Sequence, residues 1–394
     1  MIDKQEILRF ATALNLPPNT VEKDYILGWL LKGINSHPTL QDQLVFKGGT
    51  CLKKCLLETY RFSEDLDFTL KESFPLDSSH LETVVTELTE WVEDNSGIKI
   101  PQDSVKIELY RNPRGILVAE VRVGYIGPLK PGGNFPKVKL DLSHDEKIVT
   151  APLLSKVFHP YSDCRDDDIY ILSYSVEETF AEKIRALSER ARPRDLYDVI
   201  HLFHNREMFV RELLLQILQE KCFFKNIKVP TLEGIQNHPK FAELEQEWSN
   251  MIQHQVPVLP LMKGFIAELP AFFQWLHFET EPALLPKIHE GEQWKQVSPK
   301  RLYEPSRESS IMEKIQFAAA NRLCISIRSR DGRKDNLEPY ALYSNSNTGV
   351  YLHYVTGTTG ELGYVQISRI KSVTILPHGF QPRFAIEISG IRFH

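Results

Sequence analysis

Apolar residues recur at helical spacing through residues 21–31, after which the pattern shortens to strand-like runs at 44–47, 105–109, 117–123 and 138–142. Helices and short strands alternate in this way to about residue 205, which predicts an α+β unit over residues 1–205. A helical period then dominates, with stretches at 210–221 and 261–278 separated by proline-bearing turns, so residues 206–280 are expected to form a helical extension. Residues 281–309 are rich in proline and charge, a composition that suits a linker. Beyond it a helix is predicted over 311–320, followed by β-type runs at 323–327, 350–355, 364–367, 373–376 and 384–388. Glycine and asparagine cluster between these runs (Asp331-Gly332, 345–349, 357–360), as tight turns require, and residues 310–394 are expected to form a small β barrel or sandwich.

Composition narrows the class without naming a function. A length of 394 residues supports two or three compact units, and 42% hydrophobic against 25% charged residues excludes a disordered chain. The net charge of -5 gives no general attraction to nucleic acid, so such a partner needs a local basic surface. Five scattered cysteines form no C-x-x-C pair, which points to a reducing compartment. The longest apolar run, residues 25–31, is too short to span a bilayer. A cytoplasmic protein with no membrane partner is expected.

Candidate chemistry begins at the strand Leu44-Val45-Phe46-Lys47, the turn Gly48-Gly49 and Thr50, read as the cap of a helix reaching Leu57. Bare backbone at such a turn can approach a phosphate, although most paired glycines only serve turn geometry. Twelve residues after Gly49 begins Arg61-Phe62-Ser63-Glu64-Asp65-Leu66-Asp67-Phe68-Thr69-Leu70, which puts Asp65 sixteen residues beyond that glycine. Its alternation puts Asp65 and Asp67 on one strand face, with Cα atoms about 6.5 to 7 Å apart. Two adjacent carboxylates repel unless a cation neutralises them, and hard oxygen ligands suit Mg²⁺ or Mn²⁺; the bland alternative is a solvated edge strand. Asp141, in Val138-Lys139-Leu140-Asp141-Leu142, occupies the polar side of a later strand and is a candidate third ligand or simply an exposed strand residue.

Ser175 and Glu178 form a capping-box pattern ahead of an amphipathic helix whose stripe is Val176, Phe180, Ile184 and Leu187. Lys183 lies beside that stripe, where spacing alone predicts a surface lysine. Pro193 starts a second helix with Leu196, Val199, Ile200 and Phe203 on its apolar side. Asp195 falls in the first turn, where an acid complements the helix dipole; Asp198, a turn later, has no such role.

Together these residues resemble the AbiEii/AbiGii toxin family, nucleotidyltransferases of type IV toxin–antitoxin and abortive-infection systems. The resemblance runs from Glu22-Lys23-Asp24-Tyr25 through Phe46-Lys47-Gly48-Gly49-Thr50, the Asp65/Asp67 strand and Lys139-Leu140-Asp141 to the stretch 177–198. It implies a polymerase-β-like core in which Asp65 and Asp67, with Asp141, bind divalent metal. Gly48, Gly49, Thr50, Arg61 and Ser63 would hold an NTP, Lys183 would contact its phosphates, and Asp195 or Asp198 would complete the site or act as base. Relatives transfer nucleotide to RNA, with tRNA acceptor ends the expected target, or modify a protein; a cognate antitoxin and a role in phage defence are further expectations. The C-terminal region is similar to a WYL domain, an SH3-like barrel, through 337–342, 350–352 and 367–370, with Val350 where the name-giving tryptophan would stand. That likeness makes Tyr340, Tyr351 and Arg369 candidates for a ligand face, with plain packing as the alternative. A catalytically silent nucleic-acid binder would instead rely on basic residues such as Lys53, Lys54, Arg111 and Arg114.

Overall fold

The computed structural model describes residues 1–57, 60–130, 134–164, 168–280, 285–289, 294–297, 306–345 and 349–388. Helices α1 (Lys4–Leu14), α2 (Pro18–Ser36) and the single turn α3 (Leu40–Gln43) lead into β1 (Leu44–Lys47), a short helix α4 (Gly48–Cys51) and a π-helical turn over Leu52–Leu56. Then come β2 (Asp65–Leu70), α5 (Ser78–Ser96), β3 (Lys106–Arg111), β4 (Leu117–Gly124), β5 (Lys137–Ser143), β6 (Leu153–Val157) and β7 (Ile169–Ser173). These strands form one mixed sheet in the order β3-β4-β5-β2-β1-β7-β6. Its middle strand is β2, antiparallel to β1 and parallel to β5, while β1 pairs parallel with β7. Leu66 and Phe68 point into a core shared with Tyr25, Leu30 and Val121, which leaves their alternates Asp65 and Asp67 on the opposite face. The strands are therefore fixed in register by burial, and a one-residue slip would bury both acids.

Helices α6 (Val176–Arg190), α7 (Pro193–His204), α8 (Arg211–Lys225), α9 (Leu232–Gln236), α10 (Glu243–Ile252) and α11 (Met262–Leu276) follow. Ser175 caps α6 by accepting from the Glu178 backbone N–H. The reciprocal half of the expected capping box is not made. The Glu178 carboxylate instead accepts from the Val149 and Thr150 backbone N–H groups and pairs with buried Lys221 at 3.0 Å.

A short β8 (Lys295–Gln296) and α12 (Arg307–Ala320) precede β9 (Leu323–Ser329), β10 (Gly332–Asn345), β11 (Gly349–Thr356), β12 (Leu362–Gln366) and β13 (Ile370–Gly379). They form an antiparallel sheet ordered β12-β11-β10-β9-β13, with β8 added beside β10 and a bulge between Pro339 and Ala341. Among the described residues no ladder joins β12 to β13, so the pairing is that of a sheet and does not record a closed barrel. The expected strand at 384–388 is irregular chain, tied by the single bonds Ala385 N–H to the Pro286 carbonyl and Glu387 N–H to the Tyr340 carbonyl. Residues 346–348 of the anticipated turn lie outside the described residues, as do 281–284, 290–293 and 298–305 of the anticipated linker. The described part of that linker is not all solvent-exposed: Ile288 is buried with Tyr340 and Tyr343, and α12 begins within it. Nor do the helical region and the C-terminal sheet keep separate cores. One apolar cluster runs from Phe180 and Leu196 through Phe272 to Ile315, Ile325 and Leu352.

Candidate active site

Gly48 sits at the end of β1 with φ +80°, and a Cβ there would lie 2.2 Å from Asp67 Oδ2. Glycine is thus required twice, by the left-handed backbone and by the carboxylate lying against it. A Cβ on Gly49 would meet the Arg61 guanidinium at 2.8 Å and Ser63 Oγ at 3.1 Å, so Gly48, Gly49, Ser63 and Asp67 are brought together as expected. Thr50 departs from expectation. It is inside the helix, which starts at Gly48, and its buried hydroxyl donates to the Asp65 backbone carbonyl. It clamps the start of β2.

Asp65 and Asp67 are partly exposed on the polar face of β2, and Asp67 is in register with Asp141 on β5. Burial, with the neighbouring Asp67 charge, raises the Asp65 pKa against the pull of Lys139. Burial likewise raises Asp141, against a 2.8 Å ion pair with Lys139 and with Asp67 and Asp65 adding to the rise. The carboxylates therefore form a mutually repelling cluster with one ammonium, Lys139, among them. Among the described residues no three His, Cys, Asp or Glu side chains converge on one metal-binding point.

The acids of α7 play a different part from the one anticipated. Asp198 is fully buried and receives the Arg61 guanidinium through both oxygens, at 2.7 Å each, together with the Tyr60 hydroxyl. Lys183 Nζ is 2.7 Å from its Oδ2. Burial would raise this carboxyl, but Arg61 and Lys183 hold it far below the usual range. All its acceptor capacity is spent, which leaves it unsuited to act as base or metal ligand. Arg61, expected to bind nucleotide, is equally committed: only 2% exposed, it also donates to Gln255. Asp195, also buried, takes Arg190 in a bidentate pair at 2.6 and 2.8 Å and lies 3.9 Å from Lys183. The two aspartates thus hold cations in place.

Of these, Lys183 and Arg190 line an open cleft of about 440 Å³. Its floor is Lys47, Gly48 and Asp67, one wall is Glu182, Lys183 and Arg190 of α6, and the far wall includes Arg114 and Lys225. Neither Asp65 nor Asp141 is among the lining residues. Lys183 is buried rather than on a solvated flank, because α6 packs against both α7 and α8. Glu182 is held low by Lys47, Lys221 and Arg185 although burial opposes this, and its 3.1 Å pair with Lys47 Nζ fixes that lysine at the cleft floor. Lys47, Glu182 and Arg190 escaped the sequence reading. Arg190 had a signal in retrospect, a cation five residues before an acid, across the Ala191 helix end with φ +43°.

The C-terminal candidates do not gather. Tyr340 is fully buried, with its hydroxyl donating to Glu338 and accepting from the Arg383 N–H, so it is a packing residue. The Tyr351 ring packs against Trp294 and Tyr364. Arg369 is exposed and 3.5 Å from Asp331. The basic surface that a silent nucleic-acid binder would need is also compromised: Lys54 is buried on Asp24 at 2.7 Å, Lys53 is buried against the Phe62 ring, and Arg114 pairs with Asp145.

The fold can be compared with solved structures, at low identity. MenT4, a nucleotidyltransferase toxin from Mycobacterium tuberculosis, aligns over 70% of this chain and 90% of its own at 19% identity, with a TM-score of 0.47. JHP933 from Helicobacter pylori aligns over 67% of this chain and 94% of its own at 17% identity, with a TM-score of 0.43. No curated protein matches the chain significantly. No described helix is long and apolar enough to cross a membrane. The decisive match is to the family model for the nucleotidyl transferase AbiEii toxin of type IV toxin–antitoxin systems, over residues 29–277, which span the sheet, the cleft and the helices behind it. The chain belongs to the AbiEii family of nucleotidyltransferase toxins.

Proposed function

We propose that this nucleotidyltransferase moves a nucleotidyl group from an NTP to an RNA hydroxyl, with tRNA acceptor ends as the target, in the presence of Mg²⁺ or Mn²⁺. The observation that carries the reading is the junction of Asp67 and Gly48 with Lys47, Lys183 and Arg190 in one cleft. Asp67 beside a glycine turn, with Lys47, Lys183 and Arg190 held in place around the same cleft, suits a metal–triphosphate group. Gly48 and Gly49 allow close approach of the triphosphate, and Ser63 beside Gly49 offers a hydroxyl. Lys183 and Arg190 face the phosphates in fixed positions because Asp198 and Asp195 hold them from behind, so little ordering remains to be done on binding.

The donor set fits a hard divalent cation: Asp65 and Asp67 share a face, Asp141 is the register neighbour of Asp67, and Lys139 is the cation now among them. When bound, the metal would neutralise charge on the transferring group. Asp65 and Asp67 would hold it, with Asp141 joining when its carboxylate leaves Lys139. A cognate antitoxin that silences this cleft, in toxin–antitoxin balance or phage defence, completes the proposal.

The test is incubation of the purified chain with labelled NTPs, Mg²⁺ and total tRNA, beside Asp65→Asn. Label on RNA that disappears in the variant is expected. Label on protein would move the target class, and RNA labelling that persists undiminished in Asp65→Asn would overturn the assignment of the site.

A further inference from the structure

Large apolar side chains are left in water beside the cleft. Phe223 and Phe224, in the last turn of α8, are 88% and 37% exposed, and Tyr110 and Ile116, which flank the β3–β4 turn in sequence, are 48% and 37% exposed. A single exposed ring is ordinary, but here the two segments that carry them touch. Arg114 in the turn makes the contact: its Nη2 donates to the Phe224 carbonyl at 3.0 Å, and its guanidinium is 5.1 Å from the Phe224 ring centroid. Arg114 and Lys225 also line the cleft, with Asn112 and Pro113. The exposed rings therefore adjoin the far wall of the cleft.

Strand register orients Tyr110. It is opposite Val118 on β4, Val118 is opposite Ser143 on β5, and Ser143 is opposite Thr69 on β2. Thr69 is two residues from Asp67, so Tyr110 projects from the sheet face that carries Asp65 and Asp67.

The acids around these rings are already held by cations. Glu108 pairs with Arg122 at 2.9 Å, Glu220 with Lys147 at 2.8 Å, Asp145 with Arg114 at 2.7 Å and Lys225 at 3.0 Å, and Glu146 with Lys225 at 3.1 Å. Charge alone thus makes no strong site. Exposed Arg111, whose guanidinium donates to the Gly115 carbonyl, and exposed Lys228 have no carboxylate partner among the described residues. Open aromatic faces among neutralised acids and a few spare cations suit unpaired bases, for which stacking carries the affinity and cations follow the backbone.

We propose, building on the RNA-acceptor reading above, that Phe223 and Tyr110 form a stacking platform for the single-stranded end of the acceptor RNA at the mouth of the cleft, with Arg111 beside its phosphates. A paired helix offers no free base faces to these rings, so the platform favours unpaired ends. Stacking one base on an aromatic ring is worth roughly 5- to 100-fold in affinity.

The test is fluorescence anisotropy of a single-stranded RNA of about 12 nucleotides, titrated with the full-length chain without NTP, beside KM measurements in the tRNA-labelling assay. Phe223→Ser is expected to weaken oligonucleotide binding at least fivefold and to raise the KM for tRNA with the KM for NTP unchanged, Tyr110→Ser to act in the same direction, and Phe223→Trp to keep both values. Tyr364→Ser, which removes a ring 60% exposed on the C-terminal sheet, should match wild type. A wild type that labels protein instead of RNA would remove the transfer reading, while oligonucleotide binding that needs Phe223 would still support the platform. RNA labelled by Phe223→Ser as by wild type, with oligonucleotide binding undiminished, would remove the platform and leave the transfer reading intact. Absence of oligonucleotide binding by the wild type, equal losses in Phe223→Ser and Tyr364→Ser, or a protein partner released by Phe223→Ser while RNA binding is unchanged would each overturn the platform.

Discussion

Arg61 and Asp198, 137 residues apart in sequence, form a two-pronged pair with Nε to Oδ1 and Nη2 to Oδ2 both at 2.7 Å, and neither side chain is more than 2% exposed. The loop before the β2 carboxylates is thereby tied to the helix behind the cleft. Removing one partner leaves the other charge buried without compensation. Asp198→Ala is expected to cost about 3–5 kcal/mol of stability, read as a large drop in denaturant midpoint. If Asp198 were instead a lightly held catalytic acid, the variant would be inactive yet near wild type in midpoint.

Asp65 should behave in the opposite way. Its carboxyl is raised in the folded state, so between its ordinary and its folded pKa the native chain binds more protons than the unfolded one. Stability from this group falls as pH rises through that window and stays lower above it. Asp65→Asn is therefore expected to be inactive but at least as stable as wild type at pH 7, and to show a flatter stability profile through the acidic window. A large loss of midpoint at pH 7 would contradict the repulsive cluster seen on β2.

The same cluster predicts a metal response. Binding to the native state alone stabilises by about 2.7 kcal/mol at a hundredfold excess over Kd. Mg²⁺ should accordingly raise the melting temperature of the wild type, with the shift abolished in Asp65→Asn/Asp67→Asn. An equal shift in that double variant would place the metal elsewhere.

These contrasts mark how far the sequence carried. The face shared by Asp65, Asp67 and Asp141 was legible because strand alternation has a period of two and each acid is flanked by buried residues such as Leu66, Phe68 and Leu140. Lys183 was not, because one stripe of apolar residues shows which side of α6 is buried first and hides that its flank also meets α7 and the cleft. The family resemblance assigns Arg61 and Asp198 to the site; only their pairing, invisible at such separation, shows that they support it from behind. Glu178 fitted a capping pattern, yet two backbone N–H groups and Lys221 were better partners than the Ser175 N–H. The run at 384–388 has strand-like alternation, but among the described residues its backbone N–H groups meet isolated carbonyls, of Pro286 and Tyr340, and no ladder forms.

Gly48 offers a steric test. Gly48→Ala places a methyl group 2.2 Å from Asp67 Oδ2 on a backbone with φ +80°. The strain alone is about 1–3 kcal/mol, and the Asp67 carboxylate must also move. Activity should fall at least a hundredfold, whereas Gly115→Ala, with the same sign of φ and nothing within 4 Å, should lose only stability. Comparable activity in both variants would remove Gly48 from the site.

Arg190 is the cation to which Asp195 gives its direction. Arg190→Lys keeps the charge but loses the fork that engages both Asp195 oxygens at 2.6 and 2.8 Å. A charge-assisted hydrogen bond to substrate is worth about 1.5–3 kcal/mol, so kcat/KM for the NTP should drop by roughly 10- to 100-fold, with the KM for the acceptor RNA unchanged. The drop should appear mainly in KM if Arg190 contacts the ground-state triphosphate, and mainly in kcat if its contact tightens as the nucleotidyl group transfers. An unchanged kcat/KM would show that Arg190 faces solvent in the working enzyme, and the phosphate-binding role would then fall to Lys183 and Lys47.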